Sequence, residues 1–182
     1  MQKFSLQNTD ILADKFKNLT LPLDIFISNE LTDKILDFLD NKFAAKKLLL
    51  ISDHNIISEL PLKLKQALQA REDYKELILV ANPLKADSEN VEQIIKHAKN
   101  TDLIIAFGSG TINDLCKYAS YNLNIDYIVI ASAPSMNGYI SSNASITINN
   151  FKKSLAAKFP IAAFFDLNIL AKAPLKLIQA GL

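Results

Sequence analysis

The stretch Phe107-Gly108-Ser109-Gly110-Thr111-Ile112-Asn113-Asp114-Leu115-Cys116-Lys117 puts two of the chain's four glycines within three residues. It follows the apolar run Leu103-Ile104-Ile105-Ala106 and opens a helical pattern. Glycine lets a backbone turn sharply and approach a ligand closely. A helix beginning near Thr111 presents unpaired N–H groups and the positive end of its dipole to that turn, a setting that favours a phosphate. Ser109 and Thr111 add hydroxyls. The bland alternative is a plain strand-to-helix turn. Asn113 stands where the dinucleotide fingerprint G-x-G-x-x-G has its third glycine, and no Gly-Lys-Ser/Thr follows to make a P-loop.

Two further polar segments share the arrangement of an apolar run followed by small polar residues. Asp53 ends the run Leu48-Leu49-Leu50-Ile51-Ser52. A carboxylate there can accept hydrogen bonds from a ribose, and its charge favours NAD over NADP. Asp53 precedes the glycine turn, whereas the usual fingerprint has its acid afterwards, so a dinucleotide site here needs a different topology. The competing role for Asp53 is a turn or helix cap in Ser52-Asp53-His54-Asn55. The segment from Ser132 to Asn143 follows the run Tyr127–Ala131 and offers Ser132, Ser135, Asn137, Ser141, Ser142 and Asn143. Neutral hydroxyls and amides suit the orientation of a polar ligand; alone, such a segment reads as a solvated loop.

These segments need a scaffold that brings them to one edge. Short apolar runs at 23–28, 47–52, 76–81, 103–107 and 127–131 alternate with helical patterns. Val91, Ile94, Ile95 and Ala98 form one stripe, and Ile112, Leu115, Cys116 and Ala119 repeat its spacing. Asp87 or Ser88 is positioned to cap the first of these helices. The runs lack strict alternation, which suits strands buried on both faces of a parallel sheet. The pattern predicts an α/β, Rossmann-like, doubly wound, mainly parallel sheet with helices on both faces. After residue 132 a small β-hairpin is predicted, with 145–148 as one strand and Asn149-Asn150 at the turn. The run 160–165 reads as one more buried strand, and 168–182 as a helical segment ending at Gly181.

The bulk properties narrow the function. The chain has 182 residues, enough for one large domain, and a formal net charge of +1, which gives no reason to expect nucleic acid or an anionic membrane as partner. Its lysines are scattered and read as solvated faces. Cys116, the sole cysteine, excludes an intramolecular disulfide and reads as a small buried hydrophobe. No apolar run approaches the ~20 residues of a membrane span, and the first ten residues have no apolar leader pattern, so a cytoplasmic location is expected.

The segments GSGTINDLCKYAS, SAPSMNGYISSNASI and KFPIAAFFDLNILAKAPLKLIQAGL together resemble the glycerol-1-phosphate dehydrogenase branch of the iron-containing alcohol dehydrogenase, glycerol dehydrogenase and dehydroquinate synthase superfamily. The resemblance implies that residues 1–182 are an NAD(P)-binding N-terminal domain. It implies that Gly108, Ser109, Gly110, Thr111, Asn113 and Asp114 surround the pyrophosphate and the nicotinamide side. Ser132, Ala133, Pro134 and Ser135 would line the nucleotide, with Ser141 near it, and Asp53 would hold the adenosine ribose. The family usually has a substrate-contacting aspartate at position 137; here Asn137 removes that charge.

In the family, the segment matching Ala180-Gly181-Leu182 runs into a Gly-Asp whose aspartate is the first metal ligand, with two histidines far downstream. The chain ends before these, at the expected boundary with a helical metal-binding domain. His54 and His97 read as solvated or capping residues. Neither a catalytic residue nor the family's zinc or nickel is therefore expected within this chain. The expected activity of the full-length kind is metal-assisted reduction of dihydroxyacetone phosphate to glycerol 1-phosphate with NAD or NADP, a phosphorylated polyol or ketone being the partner. The chain alone is expected to bind cofactor weakly without turnover. Leu175, Leu177, Ile178 and Leu182 form an apolar set that suggests self-association. Rival readings are another polyol dehydrogenase, a dehydroquinate-synthase-like cyclase and a non-catalytic nucleotide-binding module. Against the cyclase, SAPSMNGY lacks the Thr-Thr and Asp-Ser-Ser-Val-Gly pattern associated with that branch.

Overall fold

The structure is a computed structural model that describes residues 2–4, 23–80 and 83–181. The strands are β1 (Gln2–Phe4), β2 (Asp24–Ser28), β3 (Leu48–Asp53), β4 (Tyr74–Leu79), β5 (Leu103–Gly108), β6 (Asp126–Ala131), β7 (Asn143–Ile148), β8 (Phe151–Ala156) and β9 (Ala162–Asp166). The helices are α1 (Thr32–Phe43), α2 (Leu62–Gln69), α3 (Ser88–His97), α4 (Gly110–Leu123), α5 (Leu167–Leu170) and α6 (Leu175–Gln179). Each run expected to be a strand is one, with its bounds moved by at most two residues; Ala81, at the end of the third, lies outside the described residues.

Seven strands form one sheet in the order β1-β2-β9-β6-β5-β3-β4, and every neighbouring pair except β1 with β2 is parallel. Alternate side chains of each central strand enter separate cores. Leu49, Ile51, Ile104, Ala106 and Val129 pack with Val91 and Ile94 of α3 and with Ile112, Leu115, Cys116 and Ala119 of α4. Leu48, Leu50, Leu103, Ile105 and Phe107 pack on the opposite face with Ile35, Phe38 and Leu39 of α1 and Leu64 and Leu68 of α2. Burial on both faces explains why β3 and β5 read as continuous apolar runs.

Local chemistry sets the ends of these elements. The Asp87 carboxylate accepts the Asn90 N–H at 3.0 Å and caps α3, so the capping residue is Asp87 and not Ser88. The helical pattern that follows β3 is divided into a single 3-10 turn, Ile57–Glu59, and α2. Pro61 forces Leu60 to remain extended (φ −62°, ψ 124°), which stops the first piece. In the last segment Pro174 stands between α5 and α6, as the residue that opens α6. Asn149 and Asn150, at φ 52° and 65°, turn the antiparallel β7–β8 hairpin, as a two-residue loop of this kind requires. No described glycine has positive φ; the left-handed positions belong to Asn100, Asn124, Asn149 and Asn150, and Asn124 ends α4. Asparagine tolerates this conformation because its short amide can hydrogen-bond locally.

Candidate functional site

The strand order determines where a ligand can sit. From β3 the chain crosses to β4 on one side, then returns to place β5 on the other side of β3. Parallel sheets open a crevice at the carboxyl ends of two strands whose connections diverge in this way. Ile51 pairs with Ala106. Two residues further along each strand stand Asp53 and Gly108, so the carboxylate and the glycine turn meet at that crevice. The topology thus accommodates an acidic residue that precedes the glycines.

The glycine turn leads directly into α4. Ser109 is the N-cap residue in extended conformation, but its hydroxyl makes no capping hydrogen bond. Among the described residues the leading N–H groups of α4 therefore have no side-chain cap, unlike those of α3 and α5. One turn in, the Asn113 side chain is fully buried, and neither its amide oxygen nor its nitrogen has a hydrogen-bond partner among the described residues. Unpaired buried amides are rare because they forfeit their hydration without replacement. These features fit a ligand rich in acceptor oxygens, such as a pyrophosphate.

The glycines themselves have a steric role. A Cβ on Gly108 would stand 2.6 Å from the Ile112 side chain, and one on Gly110 would strike Met136. Their part in the turn is close approach, not a left-handed backbone. The Ser132 N–H donates to the Gly108 carbonyl at 3.0 Å, which ties the next polar segment to the turn. Ser132 and Ala133 are buried, Ser135 is half-buried, and Pro134 and Asn137 are exposed. The Tyr139 phenol donates to the Ala133 carbonyl at 2.7 Å and meets Phe165 edge-on with ring centres 5.7 Å apart. Burial pushes that phenol up to about 12. At the far end of the chain, a Cβ on Gly181 would collide with the Pro134 carbonyl, so the segment after α6 returns to the same loop.

Asp53 and Asp114 divide their hydrogen bonds differently. One Asp53 oxygen accepts the Asn55 N–H at 2.9 Å, so the turn-capping role is real; the other has no hydrogen bond among the described residues. Asp114 faces the hairpin, accepting the Ser145 N–H at 3.2 Å and lying 3.7 Å from the Lys117 ammonium. Burial holds the Asp114 carboxyl above its ordinary value, and Lys117 partly offsets this. The Ser141 hydroxyl lies against Lys117 and the carbonyls of Gly138 and Asn143. Thr111 is half-buried in the first turn of α4. Cys116 is fully buried, and burial pushes its thiol up, away from nucleophilic chemistry.

Lys117 is the residue that pattern reading missed. It is completely buried, although a lysine on a helix normally reads as solvated. A signal was present: Asn113, Lys117 and Ser120 recur at helical spacing on a second face of α4, which indicates a helix covered on two sides. Among the described residues no three His, Cys, Asp or Glu side chains gather as a metal site. His54 is exposed, and His97 Nδ1 lies 2.8 Å from the Gln93 carbonyl in its own helix. No described helix is long and apolar enough to cross a membrane.

A doubly wound α/β domain with an open helix N-terminus at its switch point defines the Rossmann-like class. Comparison with known proteins narrows this. The family described as iron-containing alcohol dehydrogenase matches residues 26–174, and the chain belongs to that family. It is 29% identical over 170 residues to a glycerol-1-phosphate dehydrogenase [NAD(P)+] of Bacillus subtilis, covering 89% of this chain and 43% of the relative. It is 28% identical over 169 residues to the enzyme of the same name from Thermoplasma volcanium, covering 92% and 47%. The chain thus spans under half the length of these curated relatives. Among solved structures, glycerol dehydrogenase from Schizosaccharomyces pombe superimposes with a TM-score of 0.71 at 19% identity, over 86% of this chain and 40% of that one. A 2-deoxy-scyllo-inosose synthase complexed with carbaglucose-6-phosphate, NAD+ and Co2+ gives 0.74 at 14%, over 87% and 47%. These likenesses establish the fold.

Proposed function

We propose that this chain is the nucleotide-binding half of an NAD(P)-linked, metal-dependent polyol dehydrogenase of the glycerol-1-phosphate dehydrogenase kind, and that it binds NAD(H) without turnover by itself. The observation that carries the reading is the uncapped N-terminus of α4 with the orphaned Asn113 amide one turn inside, opposite Asp53 at the switch point. In this reading the Gly108–Thr111 backbone and the Asn113 amide hold the pyrophosphate, and Asp53 takes the adenosine ribose hydroxyls. Ser132 to Ser135 line the nucleotide, and Asn137, on the exposed rim, orients a phosphorylated polyol or ketone. The nicotinamide supplies the hydride acceptor or donor when bound.

The metal belongs to the reading only through the family. The donor set among the described residues does not form a site for it, so no step is assigned to a metal here. Asn137 presents a neutral amide, which can donate to a substrate phosphate or hydroxyl but cannot act as a base near neutral pH. The test is a fluorescence titration of the chain with NADH. Saturable binding is expected, and a flat response up to millimolar cofactor would remove the reading.

A further inference from the structure

We propose that Lys117 is the positioning residue of this crevice, its buried ammonium holding the segment from Gly138 to Asn143 against α4 and so keeping Asn137 and Ser141 beside the glycine turn. The inference rests on the cofactor reading above and adds the group that gives the polar loop its station.

Lys117 Nζ donates to the Gly138 carbonyl at 2.6 Å, to Ser141 Oγ at 3.1 Å and to the Asn143 carbonyl at 3.1 Å. An ammonium has three donors, and each is used on one short segment. The Asp114 carboxylate, 3.7 Å away, takes the Ser145 N–H just beyond it. Two charged side chains of α4 thus grip a single stretch of chain at 138, 141, 143 and 145. The same helix carries the open N-terminus one turn before Asp114 and two before Lys117, so a rigid rod joins the phosphate end of the crevice to the loop at its mouth. Burial draws the ammonium below its ordinary value, and the Asp114 carboxylate opposes this. Met136, wedged between Gly110 and Gly138, gives the loop apolar contact but no direction. Hydrogen bonds to a fixed charge supply direction, and they are about twice as strong as neutral ones.

The experiment separates the loop from the rest of the site. ADP carries the adenosine ribose and pyrophosphate and reaches Asp53 and the glycine turn, whereas NADH also needs the loop. In Lys117→Met, NADH is expected to bind about tenfold more weakly while ADP affinity changes by less than about twofold. A purely structural lysine would lower both together, and that result would overturn the proposal. Amide exchange without ligand gives an independent reading: residues 138–145 should lose protection about tenfold in the variant, with β3 and β5 unchanged. Unchanged exchange at 138–145 would also overturn it. The milder Ser141→Ala should show the same ordering with smaller changes, which covers the case in which Lys117→Met does not fold. Wild-type protein that bound neither nucleotide would sink the cofactor reading itself, while exchange would still decide whether Lys117 holds the segment.

Discussion

Replacing Asp53 by alanine tests the crevice at the point where topology contributed most. One carboxylate oxygen holds the Asn55 N–H at 2.9 Å, and the other is open at the end of β3, across from Gly108. If the open oxygen and its partner accept ribose hydroxyls, the lost charge-assisted hydrogen bonds are worth ~1.5–3 kcal/mol. At ~1.4 kcal/mol per decade, the NADH dissociation constant should rise about 10- to 100-fold. NADPH behaves oppositely. Its 2′-phosphate would lie ~4 Å from the carboxylate, where two unit charges repel by up to ~4 kcal/mol near a protein surface before screening by salt. The wild type should therefore prefer NADH, and Asp53→Ala should erase the preference by losing NADH and gaining NADPH. Fluorescence titration with each cofactor measures both constants. The lost turn hydrogen bond costs ~0.5–1.5 kcal/mol of stability, so circular dichroism must first show both proteins folded at the assay temperature. If NADH affinity moves less than about twofold and the cofactor ratio is unchanged, Asp53 is a turn cap and the ribose assignment is wrong.

Three other expectations follow from individual contacts. Asp166 is buried and accepts the N–H groups of Leu31 at 2.8 Å, Asn168 at 3.0 Å and Ile169 at 3.3 Å; Asp166→Ala should cost ~2–4 kcal/mol in urea unfolding, and a loss under ~1 kcal/mol would contradict the argument. The Tyr127 hydroxyl is buried with no hydrogen-bond partner among the described residues, so Tyr127→Phe should leave stability unchanged or raise it by up to ~1 kcal/mol, as thermal denaturation will show. The pH dependence has opposite signs at the two ends of the buried pair. Asp114, held above 3.8 by burial, binds its proton more tightly folded than unfolded, so its contribution falls as pH rises from 3.8 through its folded value. Lys117, held below 10.5 by burial, binds its proton less tightly folded than unfolded, so its contribution rises with pH in the interval that ends at 10.5. The stability gap between wild type and Lys117→Met should therefore widen as pH rises toward 10.5, and urea titrations giving a constant gap over that approach would refute this.

Much of the scaffold is legible in the residue pattern because its causes are local. The stripe Val91, Ile94, Ile95 and Ala98 needs only helical periodicity to be seen, and the apolar runs of β3, β5 and β6 need only burial on both faces. The Asn149-Asn150 turn follows from backbone preference alone. Periodicity is blind to proline: Pro61 and Pro174 each open a new helix inside a segment whose apolar spacing runs on. Other features depend on contacts between residues distant in sequence. Gly110 is open to a ligand in sequence terms, yet the missing Cβ also makes room for Met136, a residue on another loop.

By itself, the sequence determined the order of strands and helices, the Asn149-Asn150 turn and the candidate polar loops, since each is set by neighbours within a few residues. Tertiary structure alone decided that Asp53 meets Gly108, because only the crossover that returns β5 to the side of β3 joins them. It likewise decided that Lys117 is buried. Nothing on its own helix hides it; the polar segment and hairpin folded over α4 remove water from the ammonium and replace it with two carbonyls and a hydroxyl.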